Sequence, residues 1–234
     1  MRRRRLEKLN PRLREARERN EREALAKMQD LEAQAPVDVV SILRDKSQSE
    51  TRRADAAFVL GVTRLRAATE ALIEALAEGQ SGLSNACAHA LGEIQSRRGA
   101  RKLMRIVRGN YPSAARRDAL YALWLLREKR AETLFIRISG ALGTEDDFMR
   151  DMATEALGIA NRRVLTQRAI RDRLFDPNVS VRYSALCACQ GIALDGFSQF
   201  LREALIAKLS DPDKVNDDEV IAKLAAELLR GPLQ

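Results

Sequence analysis

The chain has 234 residues, of which 45% are hydrophobic, 32% are charged and only 4% are aromatic, and its formal net charge is +8. This balance fits a soluble, ordered protein, and no apolar run approaches the ~18 residues of a membrane span. The few aromatic residues leave Leu, Ile, Val and Ala to form the core, which favours helices. No apolar segment follows the arginines at positions 2–5, so we predict a cytoplasmic protein without a secretory signal.

The N-terminal residues 1–24 are predicted to form a basic helical arm or cap, followed by a repeat array over residues 25–234. Glu15, Arg19 and Glu23 alternate in sign at four-residue spacing, which supports an isolated helix. Two interpretations stay open. The segment is a cap, since every helical array needs a polar one, or it is an arm that reaches a partner, since its basic charge exceeds what a cap requires. In the second interpretation the arm binds a partner through Arg2, Arg3, Arg4 and Arg5.

Five similar blocks of small and apolar residues recur along the middle of the chain, beginning with Arg53-Ala-Asp-Ala-Ala-Phe-Val-Leu-Gly61. Their last apolar positions are Leu60, Leu91, Leu123, Leu157 and Cys189, at intervals of 31, 32, 34 and 32 residues. Within each block the apolar residues fall at spacings of three and four, which predicts a helix with one buried face. A period of this length marks a supersecondary unit that buries its apolar face only by stacking on its neighbours.

The repeat unit resembles a known family. The pattern consists of an arginine, two turns of small residues, Leu-Gly, a turn and then Ala-x-x-x-Leu. This pattern is similar to a HEAT repeat, most of all to the short bacterial HEAT-like repeats also found in phycobilisome lyases. The best local match is Asp176-Pro-Asn-Val-Ser-Val-Arg182, and the similarity covers residues 48–210. It implies an all-α, right-handed α-solenoid of about six to seven short helix pairs.

One arginine recurs at the same phase of four repeats, in Arg53, Arg116, Arg150 and Arg182. The resemblance implies a structural ladder in which each guanidinium pairs with an acid on a neighbouring helix. Nearby candidates for these acids are Asp55, Asp118 and Asp151.

Positive charge concentrates in the middle of the chain, where residues 97–137 hold twelve basic and three acidic residues. Many of these cations fall in the turns between the two helices of a repeat or on the second helices, which line the concave side in the family. We therefore predict a basic partner-binding face, since such fields attract anionic partners. Its predicted residues are Arg64, Arg66, Arg97, Arg98, Arg101, Lys102, Arg105, Arg108, Lys129, Arg130, Arg137, Arg162, Arg163, Arg168 and Arg171.

The predicted function is that of a non-catalytic scaffold or adaptor whose basic face binds an acidic protein surface. The alternative is a nucleic-acid-binding module that contacts the phosphate backbone. Aromatic residues on which the bases of a single strand could stack are few, so a duplex backbone is the expected ligand in that case. A third alternative is a HEAT-type lyase or a glycosylase-like enzyme, which the resemblance alone suggests.

Residues for catalysis are sparse, and we predict no catalytic, cofactor-binding or metal-binding residue. His89 is the one histidine, and Cys87, Cys187 and Cys189 all occupy core-like positions. A helix places residues 187 and 189 about 200° apart, which does not suit one metal ion, so all three are predicted as buried thiols. The acidic cluster at residues 145–147 is predicted to begin a helix.

The C-terminal residues 217–230 are predicted to form an amphipathic helix with no second helix after it. An apolar strip that stays open usually marks a contact surface. We expect this end to dock a partner or a second copy of the chain. The strip consists of Val220, Leu224 and Leu228.

Overall fold

The computed structural model describes residues 11–34, 38–143, 146–159, 164–192 and 198–209, and within them the protein consists of helices and connecting turns without a strand. The predicted fold class, all-α and built from successive helix pairs, is confirmed. The helices are α1 (Pro11–Gln34), α2 (Val39–Arg44), α3 (Glu50–Val62), α4 (Thr69–Ala77), α5 (Ser81–Ile94), α6 (Ala100–Arg108), α7 (Ser113–Leu125), α8 (Glu132–Ser139), α9 (Asp147–Ala156), α10 (Val164–Arg173), α11 (Val179–Gly191) and α12 (Gln199–Leu209).

The repeated blocks form the first helices α3, α5, α7, α9 and α11, and a second helix follows each of them along the chain. The chain divides into two compact units, residues 1–126 and 127–234, with the boundary in the turn after α7. In the first unit α5 packs between α3 and α7, and the second helices α2, α4 and α6 stack in the same order. In the second unit α9 packs on α11, and α10 packs between α8 and α12.

Glycines allow neighbouring first helices to approach closely. A Cβ added at Gly61 on α3 would lie 2.7 Å from the Cα of Ala90 on α5, and one at Gly158 would lie 2.8 Å from the Cα of Ala188 on α11. Real Cβ atoms do not come so close to backbone, so any larger residue here would push the helices apart. The small residues of the repeated block are therefore required by helix packing.

The predicted apolar stripe forms the core of both units. The last apolar positions of the five blocks, from Leu60 to Cys189, are all at most 2% exposed. Second helices contribute Leu72, Leu103 and Leu134, which are equally buried.

The arginine of the repeat phase joins three segments of the first unit. Arg53, at the start of α3, is only 2% exposed. Its Nε donates to the carbonyl oxygen of Leu43 at the end of α2 (2.9 Å), and its two terminal nitrogens donate to the carboxylate of Glu78 after α4 (2.8 and 2.9 Å). In the same way Arg116 on α7 donates to the carbonyl of Val107 near the end of α6 (3.1 Å). Each contact fixes a second helix against the first helix that follows it.

The acids of this ladder differ from the nearby candidates predicted from sequence. Arg53 pairs with Glu78, whereas Asp55 pairs with Lys27 of α1. In the second unit Arg150 pairs with Asp147 (2.7 Å) and Asp176. The aspartate next to it, Asp151, accepts a hydrogen bond from the Ser184 hydroxyl (2.5 Å). Acids that are 25 or 26 residues from the arginine reach it because the second helix brings the chain back beside the start of the first.

The N-terminal helix α1 continues without a break across residue 24, where sequence reasoning placed the end of an arm. Ala24 is buried, α1 packs on α3, and the Lys27 ammonium lies 5.6 Å from the centre of the Phe58 ring. Part of the predicted arm is therefore packed on the first repeat. Arg2, Arg3, Arg4 and Arg5 lie outside the described residues, as do Val220, Leu224 and Leu228, and their predicted roles stay predictions.

Truncation of a stripe leucine should destabilise the fold. Leu91→Ala and Leu157→Ala each remove a completely buried side chain, so each should lower the free energy of unfolding by ~2–5 kcal/mol. Urea denaturation followed by circular dichroism measures this change. Leu142→Ala is the control, since Leu142 is 61% exposed, and equal losses in all three variants would contradict the predicted stripe.

Removal of the Glu78 charge should destabilise the protein and change the pH dependence of its stability. Glu78→Gln leaves the Arg53 guanidinium buried without its counter-charge, which costs roughly 3 kcal/mol at neutral pH. The hydrogen bonds from Arg53 lower the pKa of Glu78 in the folded protein. The stabilisation that this carboxylate supplies is therefore present above its ordinary pKa of 4.5 and is lost as the pH falls through the lowered value.

The measurement is the free energy of unfolding of both proteins between pH 3 and pH 7. The wild type should lose stability over the acidic part of this range, and the variant should lose less. Glu74→Gln is the matched control, because Glu74 is exposed and lies 3.8 Å from Arg44. Identical pH profiles for the wild type and Glu78→Gln would show that the pair does not stabilise the fold.

Candidate functional site

Helix α6 carries the strongest concentration of positive charge in the described part of the first unit. Its apolar residues, Ala100, Leu103, Ile106 and Val107, are buried, so the remaining positions face outward. Arg101, Arg105 and Arg108 fall within about 60° of the helix circumference on that outward face. All three are exposed, and the charges of those near the C-terminus of α6 interact favourably with the helix dipole.

The turn before α6 extends this charge. Arg97 and Arg98 are exposed, and Gly99 beside them is buried against Ile73 of α4. The guanidinium groups of these two residues and of the three outward arginines of α6 make no ion pair or hydrogen bond within the described residues. We call the set Arg97, Arg98, Arg101, Arg105 and Arg108 the α6 stripe.

Other predicted cations of the first unit are partly neutralised. The Lys102 ammonium pairs with the Glu70 carboxylate of α4, and the Arg64 guanidinium lies 3.6 Å from Glu93 of α5. Arg66 is exposed in the turn before α4. Arg64 has a left-handed backbone (φ 56°), as do Gln95 and Arg127 at the equivalent turns, so these three reversals use a conformation rare for residues with a side chain.

The cations of the second unit are more often paired. Arg130 donates to both carboxylate oxygens of Glu128 (2.8 and 2.7 Å), which raises the pKa of Arg130. Arg171 bonds to Asp172 and lies 5.8 Å from the Phe200 ring centre. Also exposed are Lys129, Arg137 and Arg168. Arg162 and Arg163 lie outside the described residues.

A cavity of 770 Å³ lies between α1, α3 and α5, and no pattern in the sequence predicted it. Phe58, Val62, Ala86 and Ala90 supply apolar lining, and His89 supplies a titratable group. The ion pairs Arg17–Glu21 (2.7 Å) and Arg64–Glu93 also line it. The volume lies within the range of about 300–1,000 Å³ that small-molecule sites have.

A row of rings leads from the cavity along the first helices. His89 makes an edge-to-face contact with Tyr121 of α7, with ring centres 5.0 Å apart, and Tyr121 stacks on Trp124 at 5.5 Å. Both α7 rings are half-buried. The sequence held a signal for this row, because Phe58, His89 and Tyr121 each stand two residues before the last apolar position of a block.

The cysteines do not all occupy the buried positions that were predicted. Cys87 and Cys189 are buried, and burial raises the pKa of both thiols, that of Cys189 to about 12. Cys187 is half-buried and forms a hydrogen bond with Tyr183. The two neighbouring thiols thus face different surroundings, as the angle between residues 187 and 189 on a helix predicted.

The acidic cluster before α9 begins a helix, as expected. The Asp146 carboxylate accepts from the Met149 amide (2.7 Å), and Asp147 accepts from Arg150 and from the Asn178 amide. Glu145 lies outside the described residues. A helix cap explains Asp146, and an ion pair explains Asp147.

None of the helices in the described ranges combines the length and the apolar character that crossing a bilayer requires. The predicted cytoplasmic location stays a prediction.

Comparison with solved structures shows the fold. The chain is similar to a chain of the complex of CpcE and CpcF of phycocyanin lyase from Nostoc sp. PCC7120, with a TM-score of 0.57 and 19% sequence identity. The similarity covers 69% of this chain and 99% of that chain. The predicted resemblance to the HEAT-like repeats of phycobilisome lyases is thereby confirmed. No known protein family and no curated protein matches the sequence.

The expectation that the chain is not an enzyme was wrong. It rested on the lack of a recognisable catalytic constellation, and a solved structure of similar fold belongs to a lyase complex. At 19% identity the likeness itself establishes the fold and not a reaction.

Proposed function

We propose that this chain is a partner-binding helix-repeat protein whose α6 stripe docks an acidic surface of another protein. The observation that carries this proposal is the set of five exposed arginines without a counter-charge in the described residues. Elsewhere in the first unit, arginines at structural positions are satisfied, as Arg53 is by Glu78. In the described part of the chain, the arginines of the stripe have no comparable structural partner.

The electrostatics of the stripe favour association with an anion. Five like charges on one turn and one short helix repel each other, and an acidic partner would relieve this repulsion. Individually, exposed ion pairs contribute only about 0–1 kcal/mol, so specificity requires several of them in one geometry. The stripe supplies several because successive turns of α6 present arginines to the same side.

A photo-crosslinker on the stripe tests the proposal. Met104, half-buried beside the outward arginines, is replaced by p-benzoylphenylalanine in the full chain, and a lysate of the source is irradiated. We expect a nuclease-resistant adduct with a protein, joined at an acidic segment that mass spectrometry identifies. The adduct should disappear in the R101E/R105E/R108E background, since the reversed charges repel an acidic surface.

Two controls define the result. The same crosslinker at Leu25, exposed on α1, should not give this adduct. R19E/R22E/K46E, which changes the net charge equally at exposed positions away from the stripe, should leave the adduct intact. An adduct that survives R101E/R105E/R108E would contradict the proposed docking surface, and one that nuclease removes would indicate nucleic acid.

A second candidate function is a lyase-type role, which the structural match favours because it spans nearly all of a chain from a lyase complex. The cavity between α1, α3 and α5 would then be the place with room for a small molecule. Docking of a protein through the α6 stripe is compatible with this role, since a lyase that modifies a protein must bind it.

A lyase-type role predicts a spectral effect on phycocyanin. Incubation with the purified chain should change the visible absorbance of phycocyanin with time, because the pigment environment changes when its attachment does. Ala86→Trp narrows the cavity and should slow the change, whereas Leu25→Trp outside the lining should not. If the absorbance stays unchanged with the wild type, the lyase-type role is contradicted and the similarity to the lyase complex concerns the fold alone.

A further inference from the structure

We infer that the partner segment recognised by the α6 stripe is an acidic α-helix that lies along α6. This inference rests on the proposed function, since it names the partner of the same surface. It follows from the width of the stripe, from its spacing along the helix and from the charges beside it.

The stripe is only one helix wide. On one flank of the outward arginines stands Lys102, which pairs with Glu70 of α4. Glu70 and Glu74 of α4, which packs beside α6, pair with Lys102 and Arg44, so this flank adds no unpaired positive charge to the stripe. A phosphate backbone that extended beyond α6 toward α4 would gain no further cation there, whereas a single helix fits within the width of the stripe.

The arginine spacing matches that of another helix. Arg101, Arg105 and Arg108 follow each other at four and three residues and extend about 10 Å along the axis. A partner helix with carboxylates at the same spacing has the same rise per residue, so its acids face the arginines in register. Helix pairs of this kind lie about 8–10 Å apart, a distance that long arginine and glutamate side chains span.

The other flank of the stripe offers an apolar contact. Met104 lies half-buried on the side opposite Lys102, and its flexible thioether adapts to different neighbours. A partner helix with one apolar residue among its acids would cover Met104 and gain a contact that charge alone does not give. Helix α6 itself carries no aromatic side chain on which nucleic-acid bases would stack.

Designed probes test this inference with the full chain. The first probe is a fluorescein-labelled helical peptide of three heptads with Glu at i, i+4 and i+7 and Leu at i+3 on one face. The second has the same composition with the glutamates spread around the helix, and the third is a labelled 20-bp DNA duplex. Fluorescence anisotropy at 150 mM salt gives the dissociation constants.

We expect the first peptide to bind at least tenfold more tightly than the second and more tightly than the duplex. R101E/R105E/R108E should weaken its binding at least tenfold, whereas R19E/R22E/K46E should change it less than twofold. A peptide with Lys in place of Glu should bind R101E/R105E/R108E better than the wild type, because the charge pattern is exchanged. Circular dichroism confirms that each variant is folded.

Equal binding of the two peptides would overturn the inference, as would tighter binding of the duplex or no binding of any probe. None of these results decides the proposed function, which the crosslinking experiment at Met104 tests separately. If the stripe captures a protein in the lysate and yet binds both peptides equally, it recognises acidic residues that need not be arranged along a helix.

Discussion

The interaction on which the repeat depends is the contact between the arginine of the repeat phase and the end of a helix in the preceding pair, as Arg53 and Arg116 make it. Arg53 is enclosed on all sides, yet its charge is matched by the Glu78 carboxylate and by the Leu43 carbonyl. A buried guanidinium is stable only when such partners are present, and the loss of one leaves an uncompensated charge. Each such contact therefore fixes where one helix pair ends relative to the next.

This constraint also positions the candidate site. Arg116 of α7 binds the carbonyl of Val107, which belongs to the last turn of α6. Together with the buried Leu103 and Ile106, this contact determines which side of α6 faces outward. The α6 stripe is thus held on a rigid helix, and an arrangement of charges on a rigid element loses less entropy on binding than one on a mobile loop.

Arginine has two separate roles in this protein, and the two are distinguished by burial. Arg53 and Arg150 lie in the core and make several charge-assisted hydrogen bonds, so they stabilise the fold. Arg101 and Arg105 lie outside and bind nothing within the described residues, so they are available to a partner. The rings of Phe58 and His89 also differ from the core residues beside them. They occur at a recurring position of the repeat next to buried residues, yet they line the cavity.

The sequence by itself determined the repeat, the helix pairs and the buried stripe, because these follow from local periodicity and from the need of each unit to bury its apolar face. Cations of the described residues, such as Arg64 and Arg101, do lie in the turns and on the second helices, whereas their role toward a partner stays a prediction. Only the tertiary structure decided which cations are neutralised, because the partners are distant along the chain, as Glu70 is from Lys102 and Glu93 is from Arg64. The cavity likewise required the folded chain, since it exists only where α1 lies against α3 and α5, and no local pattern encodes the space between three helices.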